Sequence, residues 1–172
     1  MSFLNSINNN SKKFIDPFTH WELNKPLTEE QVNEIVKADI ANPKEHDLNY
    51  DGTRAIDGGE GKFRMGIADG GKALKFRCFV TKENSNNFPN LTKLINELQS
   101  KEATKKIAEL TGKDLSSAYI RVEIICDRKG FWLKPHCDIK EKLMSCLLFV
   151  NKYNESEDLG TDFYDNNLNK VK

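Results

Sequence analysis

Tyr119-Ile120-Arg121-Val122-Glu123-Ile124-Ile125-Cys126-Asp127-Arg128-Lys129-Gly130-Phe131-Trp132-Leu133-Lys134-Pro135-His136-Cys137-Asp138 is the stretch on which the fold turns. Ile120, Val122, Ile124 and Cys126 alternate with Arg121 and Glu123, the period of two that lines one face of a strand with apolar side chains. Asp127-Arg128-Lys129-Gly130 reads as a turn, and 131–138 as a second strand. Downstream, 143–151 and 159–164 are a third and a fourth strand candidate, and 166–172 resembles a turn leaving the fourth.

Upstream of Asp114 the texture is mainly helical. Leu91, Leu94, Ile95 and Leu98 fall at i, i+3, i+4 and i+7, one face of a helix. Ala103, Ile107 and Leu110 make a second stripe, closed by Gly112 as a C-terminal cap. Thr28 and Gln31 form a capping box, with Leu27 and Val32 at the staple positions. Val32, Ile35 and Val36 continue that helix until Asn42-Pro43 stops it. Leu74, Phe76, Cys78 and Val80 alternate with Lys75 and Arg77 as an earlier strand. Residues 1–13 read as a frayed start, and 44–71, broken by Gly52, Gly58-Gly59 and Gly70-Gly71, as a long loop. Helices first and strands afterwards predict an α+β domain with its sheet in the C-terminal half.

The chain has 172 residues, one domain by length, with 26 basic and 26 acidic side chains. That balance provides no electrostatic basis for binding nucleic acid or an anionic membrane. No apolar run approaches the ~20 residues of a membrane-spanning helix. Cys78, Cys126, Cys137 and Cys146 form no Cys-x-x-Cys pair, and the Asn- and Ser-rich start has no leader-like build. A reduced, cytoplasmic protein is expected.

Lys134-Pro135-His136-Cys137-Asp138 is the one sharp local feature. In a strand, residues i and i+2 share a face, so His136 and Asp138 can aim at one point. An imidazole and a carboxylate offered together are two of the three ligands in the 2-His-1-carboxylate triad of non-haem Fe(II). With three His and twelve Asp, a chance His-x-Asp falls in about one such chain in five, so the surrounding pattern has to carry the assignment.

That pattern extends over several elements. It runs from Asp127-Arg128-Lys129-Gly130 through Pro135-His136-Cys137-Asp138 and Lys142 to Leu147-Leu148-Phe149-Val150-Asn151, then to Leu159-Gly160-Thr161-Asp162-Phe163-Tyr164. In order and spacing it resembles the 2-oxoglutarate/Fe(II)-dependent dioxygenases, the prolyl-hydroxylase-like group in particular, over roughly 119–164. The resemblance implies N-terminal helices on a double-stranded β-helix, or jelly roll. It divides the single domain into a mainly helical flank over 14–113, with one or two strands, and the first half of the jelly roll over 114–172.

It further implies Fe(II) held by His136 and Asp138, with 2-oxoglutarate as cosubstrate and a small molecule or peptide as substrate. Lys142 would stand at the pocket mouth, where it could meet a carboxylate. Phe149 falls near a position that in some relatives is a Tyr bonding 2-oxoglutarate, a bond phenylalanine cannot make. Trp132 and Leu133 would line the pocket or pack in the core, and the Gly-rich stretch 51–71, with Arg54 and Arg64, is a natural place for a substrate lid or else a mobile surface loop. The implied reaction couples oxidative decarboxylation of 2-oxoglutarate to hydroxylation of an unactivated C–H bond.

The family also needs a distal His and a following Arg or Lys. The other two histidines, His20 and His46, lie upstream: His20 reads as a packing residue beside Trp21, His46 as a loop residue. The resemblance therefore predicts a longer product whose C-terminal strands are missing from the chain. The alternative is a non-catalytic jelly-roll module for binding or assembly.

Overall fold

Local capping chemistry sets the helix boundaries. The computed structural model describes residues 3–9, 11–38, 56–57, 64–68, 72–127, 131, 135–150 and 159–171, with the backbone alone at 56–57, 64–68 and 72–77. In chain order the elements are α1 (Phe3–Asn9), β1 (Ser11–Phe14), β2 (His20–Leu23), α2 (Glu29–Val36), β3 (Ile56–Asp57), β4 (Arg64–Ala68), β5 (Lys72–Val80), a 3-10 turn (Ser85–Asn87), α3 (Pro89–Leu98), α4 (Lys101–Thr111) and β6 (Val122–Asp127).

The Thr28 backbone N–H donates to Gln31 Oε1 at 2.9 Å, and the Gln31 N–H donates to Thr28 Oγ1 at 3.3 Å. This reciprocal box opens α2 where its sequence signature stands. Thr28→Ala should lower stability by about 1 kcal/mol in urea unfolding. An unchanged midpoint would mean that water replaces the cap without cost. Helix α4 runs from Ser100, whose hydroxyl accepts from the Ala103 N–H at 3.1 Å, to Gly112 at φ 68°. A left-handed residue there suits glycine, and its N–H closes on the Ala108 carbonyl at 2.8 Å.

The chain divides into two compact units. One gathers 37–95 and 119–134, the other 1–36, 96–118 and 135–172. The first is built on an antiparallel sheet in the order β3-β4-β5-β6. Its β5–β6 ladder runs from Val80 opposite Val122 to Lys75 opposite Asp127, with Cys78 facing Ile124. Cys78, Val80 and Ile124 are buried, as are Phe88, Leu91 and Leu94. Beyond the end of the ladder at Val80 the chain turns at Asn84, whose side chain accepts from the Thr81 N–H and donates to the Phe79 carbonyl, both at 2.8 Å. β3 and β4 fall inside 44–71, which the sequence presents as a loop. β4 is five residues long with Gly66 at its centre, too short to announce itself; its hydrogen bonds come from pairing with β5.

In the other unit, α1 lies inside the stretch that reads as a frayed start. Phe3 and Ile7 are buried there, and buried Ser6 donates to the Asn24 carbonyl at 2.9 Å. β1 and β2 pair antiparallel, Ser11 opposite Leu23 and Phe14 opposite His20. His20 stacks on Phe14 at 4.9 Å and meets Phe163 edge-on at 5.1 Å, so it does pack, as its place beside Trp21 suggests. Leu98, Ala103 and Ile107 are also buried, Ala103 completely.

Three strand expectations change. The described residues of 131–138 and of 143–151 carry no strand, and 159–164 contributes a single bridge between Tyr164 and Lys170. Alternation in sequence marks a residue pattern that a strand could use; a strand also needs a partner backbone. Among the described residues the sheets are antiparallel, helices and strands interleave along the chain, and five of the six strands lie upstream of 114, not in the C-terminal half where the sheet is expected.

Candidate metal-binding segment

His136 and Asp138 lie on the irregular segment 135–150, and both are exposed. The Pro135 ring lacks a donor and disfavours helix for the residue before it, which suits an open chain at this point. Asp138 is anchored through both of its carboxylate oxygens. Its Oδ1 accepts from Lys142 Nζ at 2.7 Å and its Oδ2 from Ser145 Oγ at 2.5 Å. The Lys142 N–H closes the intervening turn on the Ile139 carbonyl at 3.0 Å. Partial desolvation pushes the Asp138 pKa up. The hydrogen bonds from Lys142 and Ser145, with the charges of Lys142 and His136, outweigh it and hold the carboxyl below its ordinary value.

As a donor set the segment fits Fe(II) in part. Each carboxylate oxygen has two lone pairs, so the Ser145 bond to Oδ2 leaves one for a metal. Lys142 is different. Its ammonium occupies the charge a cation would seek, and the residue expected at a pocket mouth is instead paired to the candidate ligand. Ser145 was not visible as a site residue in the sequence: a separation of seven along an irregular segment has no periodic signature.

Phe149 is 63 % exposed. Trp132, Leu133, His46 and Arg54 lie outside the described residues, and of Arg64 only the backbone, in β4, is described. Among the described residues no three His, Cys, Asp or Glu side chains cluster to hold a metal ion. A shallow depression at the start of α2 is lined by Lys25, Leu27, Thr28, Glu29 and Glu30 and includes neither candidate ligand. Among the described residues no helix is long and apolar enough to cross a membrane. Comparison with protein-family models, with curated proteins and with solved structures finds no match for this chain.

Proposed function

We propose that this chain contributes the proximal half of an iron site to a 2-oxoglutarate/Fe(II)-dependent dioxygenase built on a jelly roll. The observation that carries the proposal is the pairing of His136 and Asp138, two residues apart on one exposed non-helical segment, with the carboxylate held by Ser145 and Lys142. His136 and Asp138 would hold the metal, and Ser145 would orient the carboxylate from behind. The metal, when bound, would supply oxygen activation for hydroxylating a C–H bond. The third ligand and the base that grips 2-oxoglutarate are assigned to polypeptide outside these 172 residues. Exposed Leu143, Met144, Leu147 and Phe149 form the kind of apolar run that a second sheet would cover.

The test is an anaerobic Fe(II) titration of the 172-residue chain and of His136→Ala. Stoichiometric binding should weaken by more than about tenfold in the variant. Equal iron content in the two proteins would sink the dioxygenase reading and favour a non-catalytic binding or assembly module.

A further inference from the structure

We infer that Cys137 and Cys146 are a reversible dithiol–disulfide pair that closes the 138–145 turn. The two cysteines stand immediately outside Asp138 and Ser145, whose side chains are hydrogen-bonded at 2.5 Å. Two further contacts shorten the same turn, the Lys142–Asp138 ion pair at 2.7 Å and the Lys142 N–H on the Ile139 carbonyl at 3.0 Å. A chain already clasped one residue inside each thiol has met most of the loop-closure cost before any bond between the sulfurs forms. Both cysteines are free and exposed at the residue level, so an oxidant can reach them, while partial desolvation pushes the Cys146 thiol pKa up and suits it to the second, resolving step.

The other two cysteines differ. Cys78 is buried and faces Ile124, while Cys126 faces Phe76, so across the β5–β6 ladder they are diagonal neighbours. Diagonal positions are about 7–8 Å apart, beyond the Cα separations that a disulfide ordinarily spans.

The oxidant class is a peroxide. One thiolate attacks a peroxide oxygen, the O–O bond breaks, and hydroxide leaves to be protonated to water. The second thiol then displaces the sulfenic oxygen as a second water and the S–S bond forms. Two thiols lose two electrons and two protons, and hydrogen peroxide is reduced to two waters. Because Cys137 separates His136 from Asp138, the bond would pin the backbone between them to residue 146. The proposal goes beyond the iron reading and does not rest on it.

The experiment treats the full 172-residue chain with hydrogen peroxide in the presence of a chelator, alkylates the remaining thiols and digests with trypsin. Cleavage at Lys140 and Lys142 separates the two cysteines onto different peptides, so a bond between them shows as a linked pair in the mass spectrum. The linked pair is expected in the wild type and in Cys126→Ser, should vanish on addition of dithiothreitol, and should be absent from Cys146→Ser. Ser145→Ala, which removes the clasp, should form it several-fold more slowly. Recovery of Cys137 and Cys146 as separately alkylated or singly oxidised peptides overturns the proposal, as does a linkage found only between two chains. Running the reaction metal-free keeps this outcome separate from the iron titration.

Discussion

Asp138→Ala should weaken Fe(II) binding by more than about a hundredfold, a larger loss than removal of an outer hydrogen-bonding partner produces. The side chain has three roles at once: ligand candidate, acceptor for Ser145 and counter-ion to Lys142. Truncating it removes the donor and leaves the Lys142 charge facing the incoming cation. Lys142→Met separates these contributions. Without the ammonium at 2.7 Å, Fe(II) affinity should rise about two- to fivefold, the range of an exposed ion pair. Were Lys142 instead the grip for a cosubstrate carboxylate, iron affinity would stay level and 2-oxoglutarate binding would fall.

The pH dependence has a definite sign. The Asp138 carboxyl is held below its ordinary value in the folded chain. Its contribution to stability is therefore complete above the unfolded carboxylate pKa and is lost as pH falls through the lowered folded one. Iron binding should follow the same course, since protonation and metal compete for one carboxylate. Calorimetric titrations across the acid range would show it. Affinity that rises on acidification would rule Asp138 out as a ligand.

Leu91→Ala should destabilise the chain by about 2–5 kcal/mol. Leu91 is 1 % exposed, and buried Leu94 lies on the same face of α3 one turn on, so the shortened side chain leaves a cavity that a helix fixed at Pro89 cannot readily collapse. Urea unfolding read by far-ultraviolet circular dichroism measures the loss. Ile125, 40 % exposed on β6, is the control, and Ile125→Ala should cost less than about 1 kcal/mol. Similar losses at both positions would mean that the α3 face is not core.

Helices α2, α3 and α4 were legible because their signals are local. Thr28 and Gln31 satisfy each other within four residues, Gly112 relieves a left-handed conformation by lacking a Cβ, and Leu91, Leu94 and Leu98 recur at helical spacing. β5 and β6 were legible too, since each alternates over most of its length. β4 was not, because a five-residue strand with a central glycine acquires its identity from β5. Nor was α1, whose seven residues are held by Ser6 on Asn24 and by the Leu4 N–H on Glu97 at 3.4 Å, contacts that only folding brings together.

For the candidate site, the sequence alone determined which residue types stand where: an imidazole and a carboxylate two positions apart beyond a proline, with no further histidine downstream. The tertiary structure alone decided what they meet. It gave Asp138 to Lys142 and Ser145, left Phe149 exposed and built 135–150 without a strand. The physical reason is one of range. Capping and periodicity act within a few residues, whereas a strand, a buried face or a complete metal site needs a partner that its own neighbours cannot supply.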